Sequence, residues 1–227
     1  MTWATDRADA IRAALPEHAV PGRAEHERAY LKSDLVHLGV PVPATRRVVG
    51  QALRADPPPD HDAGIALVES LWDGDPPVHE HRMAATMVLS RIRLVPGDLD
   101  LVERLLREAR TWALVDSIAP RALADLADDF PDVDAAVARW VDDGDFWMRR
   151  SAVLRHLLPL RRGTGSLDAF GVAADPLLED REFFVRKAIG WVLREASKSD
   201  PDGVRSWVDA RRSRMSGLTL REATKYL

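Results

Sequence analysis

The amino-acid sequence predicts an all-α fold built from stacked helix pairs, and three observations support this. Apolar residues recur every three or four positions along almost the whole chain, which is the period of a helix with one buried face. Proline, glycine and aspartate fall between these segments, where helices end and begin. No segment alternates strictly as a half-buried strand does, and Pro21 stops any run that Val20 begins.

The periodic segments give the predicted helices in chain order. They cover residues 5–14, 23–36, 44–55, 62–72, 78–93, 98–109, 112–129, 133–142, 146–158, 167–178, 182–197, 202–212 and 219–227. Capping residues support several starts. Asp132 and Asp180 precede two helices, and Asp200-Pro201 supplies a capping side chain followed by proline at the first helical position. Thr219 and Glu222 have the spacing of a capping box.

Four tryptophans indicate a repeat. Trp72, Trp112, Trp147 and Trp191 follow one another at intervals of 40, 35 and 44 residues. This is near the ~40–47-residue period of HEAT-type helix pairs, which bury their apolar stripes against neighbouring pairs and leave a concave surface. We therefore predict a HEAT-like helical-repeat solenoid, an α–α superhelix, that forms a single domain over residues 1–227.

Composition excludes several classes of protein. Apolar residues make up 46% and charged residues 30%, which is ordinary for a globular chain and too apolar for a disordered one. No run approaches ~20 apolar residues, and residues 1–14 lack the apolar core of a secretory leader. The absence of cysteine excludes disulfides, thiolate metal sites and thiol nucleophiles. We expect a cytoplasmic protein without membrane contact.

The charge is unevenly distributed. The net charge is −4, but the segment from Arg186 to Leu227 holds ten basic and five acidic residues. A basic end on an acidic body can bind phosphates locally, and a solvated charge gradient explains the pattern equally well.

Several catalytic motifs are missing. The sequence has no glycine-rich phosphate loop, no nucleophile elbow and no H-E-x-x-H motif. In His79-Glu80-His81 the spacing keeps the two imidazoles off a common helical face, so we predict a solvated helix start rather than a metal site. His37 and His156 are interpreted as isolated.

The segment 111–118 pairs an indole with a carboxylate. Trp112 and Asp116 are four residues apart and share a helical face. An unpaired carboxylate is costly to bury, so the pair is a candidate site. The alternative is that Trp112 packs between helices while Asp116 caps a helix or pairs with an arginine.

The segment 183–195 places a tryptophan between two cations. Lys187, Trp191 and Arg194 lie on one helical face, an arrangement that suits a polyanion with apolar sugars or bases. The buried stripe is predicted from Phe184, Ala188, Val192 and Ile189. Gly190 costs ~1 kcal/mol inside a helix, which indicates close approach by a neighbouring helix or a ligand backbone. A structural tryptophan with solvated cations is the alternative.

A third segment, 145–152, carries Trp147 beside Arg149 and Arg150. We predict that Trp147 lies in the core and that the two arginines point in different directions. One of them is within reach of a phosphate under this interpretation.

At these residues the chain resembles the DNA alkylation repair glycosylases of the AlkD type. The run F-F-V-R-K-A-I-G-W-V-L-R-E at 183–195 carries the resemblance. Further matches occur in the same order: A-Y-L-K at 29–32 with Leu38-Gly39-Val40, W-x-x-x-D-S-I at 112–118, W-M-R-R at 147–150 and L-x-x-R-E-A at 218–223. The resemblance covers nearly the whole chain and implies a HEAT-like helical solenoid.

The resemblance also implies a reaction and a site. Members of this family remove N3- and N7-alkylated purines from duplex DNA without a metal or a cofactor. Their pocket of two tryptophans and an aspartate matches Trp112, Trp191 and Asp116, and the tyrosine and arginine that line the DNA path match Tyr30 and Arg150. The chain departs from the family's usual S-W-W-D-x-V-D, because Thr111 and Ala113 replace a tryptophan and an aspartate.

The resulting hypothesis is a monomeric, monofunctional DNA glycosylase of base excision repair, associated with the nucleoid. Asp116, Trp112 and Trp191 are the catalytic candidates, and the DNA-binding candidates are Tyr30, Arg150, Lys187 and Arg194. Neither a metal nor a cofactor is expected. The alternatives are a DNA-structure-binding relative without excision, a protein-interaction scaffold, and a lyase that uses Lys187 as a Schiff-base amine.

Overall fold

Helices joined by short turns make up the protein, whose computed structural model describes residues 2–227. The helices are α1 Trp3–Ala14, α2 Arg23–Leu31, α3 Val42–Ala55, α4 His61–Trp72, α5 His79–Leu89, α6 Leu99–Glu108, α7 Trp112–Asp129, α8 Pro131–Ala138, α9 Phe146–Leu154, α10 Leu157–Arg162, α11 Leu167–Ala174, α12 Phe183–Ala196, α13 Pro201–Arg211 and α14 Gly217–Ala223. Between residues 2 and 227, strand-type pairing is limited to one bridge that joins Val36 and Val78. The all-α prediction is therefore confirmed.

Several predicted helices are shorter than expected, and two of them are informative. The segment 23–36 ends at Leu31, where Lys32 has a left-handed φ of 49° and the chain leaves the helix. Lysine rarely adopts this conformation, so no residue in the sequence marks the end. The segment 146–158 is divided into α9 and α10 at Arg155 and His156.

Side-chain caps set many of the helix starts. Asp200 accepts a hydrogen bond from the Gly203 amide at the start of α13, as predicted. The other predicted caps were displaced. Pro131 opens α8, so Asp132 lies in its first turn. Ser216 caps α14, and Thr219 lies inside that helix, where its hydroxyl donates to the carbonyl of Arg186 at 3.2 Å.

The start of α12 follows the same pattern. The helix begins at Phe183 after Glu182, and Asp180 accepts from the Glu182 amide at 2.7 Å. Asp180 therefore stabilises the turn that leads into the helix without being its cap.

The chain contacts divide the protein into two compact units. The first comprises the residues up to Arg93 with Glu108–Ile118, and the second comprises Leu94–Arg107 with Ala119–Leu227. The prediction that residues 1–227 form one HEAT-like repeat domain stays a prediction, and Met1 lies outside the described residues. No helix within residues 2–227 is both long and apolar enough to cross a membrane.

In the first unit, α4 packs between α1 and α5, and α3 packs on α1 and α5. Trp72, at the end of α4, is fully buried and donates through Nε1 to Glu108 at 2.8 Å. Arg82 stacks over the same ring at 4.7 Å from its centroid. The indole N–H of this core tryptophan is therefore hydrogen-bonded to a carboxylate, and a cation lies over its ring.

The start of α5 differs from its prediction. His79 is 5% exposed and Glu80 is 1% exposed, so the expectation of a solvated helix start is wrong. Glu80 Oε1 accepts from the backbone amides of Leu38, Gly39 and Val40 at 3.0, 2.7 and 3.1 Å. The spacing argument failed because it considered α5 alone, whereas the 38–40 turn approaches from outside that helix.

In the second unit, α12 lies at the centre and packs on α9, α10, α13 and α14. Ala188, Ile189 and Val192 are buried as predicted, and Phe184 is half-buried. A Cβ at Gly190 would lie 2.6 Å from the Glu222 Cβ, since α14 crosses at this position. Of the two predicted reasons for Gly190, close approach by a neighbouring helix is the one observed.

Candidate nucleic-acid interface

Helix α7 turns Trp112 and Asp116 toward a partly exposed face. Leu114, Val115 and Ile118 fill the opposite, buried face of the helix. Trp112 and Asp116 are both half-buried, so neither the indole nor the carboxylate is sealed in the core. The face therefore offers an aromatic surface and an acid group within one helical turn.

The residues before and after Trp112 fix the start of this helix. Arg110 adopts a left-handed φ of 56° and pairs with Asp34 at 3.0 Å. Thr111 is 1% exposed, and its hydroxyl accepts from the Ala113 amide at 3.1 Å. Thr111, where the chain departs from the motif of the family it resembles, thus acts as a helix cap.

Tyr30 lies next to this face. Its side chain is 67% exposed, and its ring meets Trp112 edge to face with centroids 5.8 Å apart. Such aromatic pairs contribute ~0.5–1.5 kcal/mol beyond the area they bury. The structure therefore brings together Tyr30 and Trp112, two residues 82 positions apart that the family resemblance had assigned to the site.

A cationic cavity of about 270 Å³ also lies in the first unit. Its lining includes Arg46, Arg91, Met83 and Ser117. Burial, followed by the charges of Arg46 and Arg54, lowers the pKa of Arg91. Guanidinium groups bind phosphate oxygens in a bidentate manner, so this cavity can hold a phosphate-sized anion.

Sequence reasoning missed this cavity because it searched for positive charge at the C-terminal end. A usable signal was present in α3, which carries Arg46, Arg47 and Arg54 and no acidic residue between 42 and 55.

In the second unit, α12 presents the predicted face of cations around a tryptophan. Trp191 is half-buried, and Lys187 is exposed with its Nζ 5.7 Å from the ring centroid of the exposed Phe183. Arg194 forms an ion pair with Glu222 of α14. The charge of Arg194 is therefore already balanced within the unit, and its contact with DNA stays a prediction.

Arg150 is only 3% exposed. It donates to the backbone carbonyl of Phe184, and its guanidinium lies 5.9 Å from the centroid of that ring. Arg149 points elsewhere and pairs with Asp180 at 2.8 Å. Trp147 is buried, which confirms its predicted place in the core. The role of Arg150 along a DNA path stays a prediction.

The predicted site residues fall into two groups. Tyr30, Trp112 and Asp116 belong to the first unit, whereas Trp191 belongs to the second with the three predicted cationic contacts. That these groups meet in one pocket stays a prediction.

The comparison with protein families decides the identity of the chain. The family model described as "DNA alkylation repair enzyme" matches residues 11–227. The chain belongs to this family. The resemblance predicted from the motifs is thereby confirmed, and the family gives the protein a role in DNA alkylation repair.

A solved structure supports the same fold. The chain described as "Predicted DNA alkylation repair enzyme from Enterococcus faecalis" superposes with a TM-score of 0.78 at 23% sequence identity. The match covers 92% of this chain and 97% of that chain. At this identity the likeness shows the fold alone. Among curated proteins, no sequence matches this member of the family.

Proposed function

We propose that this DNA alkylation repair family member is a monofunctional glycosylase that removes N3- and N7-alkylated purines from duplex DNA. The observation that carries the proposal is the partly exposed pair of Trp112 and Asp116 on α7, with the exposed ring of Tyr30 against the indole. A carboxylate and aromatic faces at one surface suit a reaction in which positive charge develops on a sugar.

Alkylation at N3 or N7 makes the purine cationic and therefore a good leaving group. As the glycosidic bond breaks, the deoxyribose gains oxocarbenium character. In this proposal the carboxylate of Asp116 stabilises that charge and positions the attacking water. Trp112 contacts the sugar and excludes bulk water, and its cation–aromatic contact contributes ~0.5–2 kcal/mol. Trp191 of the second unit stays a predicted contact.

The DNA backbone is the second half of the proposal. Lys187 has an exposed ammonium group and is the most accessible of the predicted phosphate contacts. In this scheme Arg194 leaves its ion pair with Glu222 and binds a phosphate. Arg150 contributes indirectly, because its hydrogen bond to the Phe184 carbonyl positions Phe184. The cationic cavity with Arg46 and Arg91 extends the candidate contact surface of the first unit.

The decisive experiment measures base release from duplex DNA that contains 7-methylguanine, under single-turnover conditions. We expect Asp116→Asn to lower the rate about 10²–10³-fold, because it removes one fixed electrostatic stabiliser, while DNA affinity is retained. Asp125→Asn is the matched control, since Asp125 lies on the same helix and pairs with Arg121 at the surface. Equal activity in Asp116→Asn and the unaltered protein would show that the site is misassigned.

The same reaction tests the monofunctional assignment. The product strand should contain an intact abasic site, and borohydride should trap no covalent adduct. An adduct that disappears in Lys187→Arg would instead support the lyase alternative, because arginine cannot form a Schiff base.

A second candidate function is recognition of altered DNA without excision. It is favoured by Thr111 and Ala113, which stand where the family usually has a tryptophan and an aspartate. The buried Thr111 hydroxyl caps α7, so position 111 supplies no indole. Salt-dependent DNA binding without base release, by a monomer in solution, would select this function.

A further inference from the structure

Three potential metal ligands from separate segments meet in the first unit. Glu27 of α2, His37 of the segment between α2 and α3, and Glu80 of α5 each bring one ligand atom within 4.8 Å of the others. The segments are distant in sequence, so the fold itself assembles this cluster. It does not include Trp112 or Asp116.

His37 lacks partners where a buried imidazole ordinarily has them. Within residues 2–227, neither Nδ1 nor Nε2 of His37 has a hydrogen-bond partner, although both atoms are buried. The His79 ring stacks on His37 with centroids 4.5 Å apart, and its own buried Nδ1 is also unpartnered. Because an unsatisfied buried polar group is destabilising, such nitrogens call for a ligand.

The two carboxylates are positioned to bind the same ligand as His37. Glu80 is held rigidly, since its Oε1 accepts from three backbone amides of the 38–40 turn. Its Oε2 accepts from the Leu38 amide at 2.9 Å and retains a second lone pair. Arg23 engages Oε1 of Glu27, which leaves Oε2 for another ligand.

Helix α2 has few other anchors. None of its nine residues, all of which are described, is buried. This helix nevertheless carries Tyr30, whose ring contacts Trp112. A bond that links Glu27 to α5 would therefore supply a restraint that side-chain packing does not provide.

We propose that Glu27, His37 and Glu80 bind a divalent transition-metal ion, Zn²⁺ by preference, which ties α2 to the start of α5. One imidazole nitrogen and two carboxylate oxygens are common zinc ligands, and water completes a tetrahedral shell. Three ligand atoms within 4.8 Å of one another lie about 2.8 Å or less from a point at their centre. Side-chain shifts of under ~1 Å would therefore bring them to the ~2.0–2.2 Å of zinc coordination.

The electrostatics agree with this assignment. Two carboxylates balance the charge of the ion, and metal binding requires a neutral imidazole. Burial lowers the pKa of His37, and the nearby Glu80 and Glu27 act in the opposite direction. This site differs from the metal-free expectation of the sequence and does not depend on the proposed glycosylase reaction.

The test titrates Zn²⁺ alone into the full chain after chelator treatment, by isothermal calorimetry. We expect one ion per chain, and an affinity at least tenfold lower for both Glu27→Gln and His37→Gln. Glu25→Gln and His26→Gln are matched controls, because they alter exposed residues of the same helix and should bind Zn²⁺ as the unaltered chain does. Circular dichroism checks that each variant keeps its helices.

Limited trypsin digestion gives an independent measurement. Zn²⁺ should slow cleavage after Arg28 and Lys32, which border the exposed side of α2, and this protection should be lost in His37→Gln. Failure to bind Zn²⁺ saturably would overturn the proposal. So would one-to-one binding that survives both substitutions, since the ion would then lie on surface histidines.

Discussion

Substituting Gly190 with alanine should destabilise the protein, although alanine is the better helix former. An added Cβ would lie 2.6 Å from the Glu222 Cβ and 2.9 Å from the Thr219 carbonyl oxygen. Carbon atoms normally approach to ~3.5–4.0 Å, so the overlap is about 1 Å. Since a Cβ and a backbone oxygen oppose it, no change of rotamer relieves the contact, and α14 must move.

The magnitude follows from two opposing effects. Alanine gains ~1 kcal/mol of helix propensity, whereas overpacking costs ~1–3 kcal/mol and reaches the upper part of that range against backbone. The expected net loss is about 1–2 kcal/mol, or a fall in Tm of roughly 2–8 °C for a chain of this length.

Urea denaturation followed by circular dichroism measures this loss. The control is Gly171→Ala in the middle of α11, where the nearest atoms lie at 3.4 and 3.5 Å and accept a methyl group. The control should gain ~0.4–1 kcal/mol. If both variants are stabilised equally, the argument that Gly190 is required for close helix packing is refuted.

Two further predictions concern pH and capping. Burial and then Arg155 lower the pKa of His156 to about 3. Because the unfolded imidazole titrates near ~6.5, unfolding takes up a proton below that pH, and the free energy of unfolding falls by roughly 2 kcal/mol at pH 5. Urea midpoints at pH 7 and pH 5 should show this loss, and His156→Gln should reduce it; an unchanged pH dependence would argue against a neutral buried ring. Thr111→Val should lower the free energy of unfolding by ~1 kcal/mol, because it removes the hydroxyl that accepts from the Ala113 amide. Calorimetric melting measures this loss, and an unchanged Tm would mean that water replaces the cap.

The sequence allowed the helices and much of the core to be predicted, because both follow from local periodicity. Ala188, Ile189 and Val192 recur at helical spacing, and all three are buried. The partly exposed face of Trp112 and Asp116 follows from the same rule, since Leu114 and Ile118 occupy the opposite face.

Partners across the chain could not be predicted in this way. A cation on a helix has the same local pattern whether it faces solvent or a distant carboxylate, and Arg194 meets Glu222 only once α14 packs on α12. Arg150 shows the same limit, because arginine is usually exposed and its carbonyl partner at Phe184 exists only in the folded chain.

Glu80 is a further case of this limit. The spacing of the histidines on either side of it predicted a solvated helix start, yet three consecutive amides of the 38–40 turn converge on one of its oxygens. Gly39 permits that turn through a left-handed φ of 79°, but the sequence alone does not indicate which carboxylate will fill it.

Because its tryptophans differ in burial, the fluorescence of this protein can distinguish exposed indoles from buried ones. Trp72, Trp140, Trp147 and Trp207 are buried, whereas Trp112 and Trp191 are partly open to solvent. Fluorescence at the red edge of the emission band, and its quenching by acrylamide, will therefore be weighted toward the candidate site. With Trp3→Phe removing the remaining open indole, titration with DNA could be followed without attaching any dye.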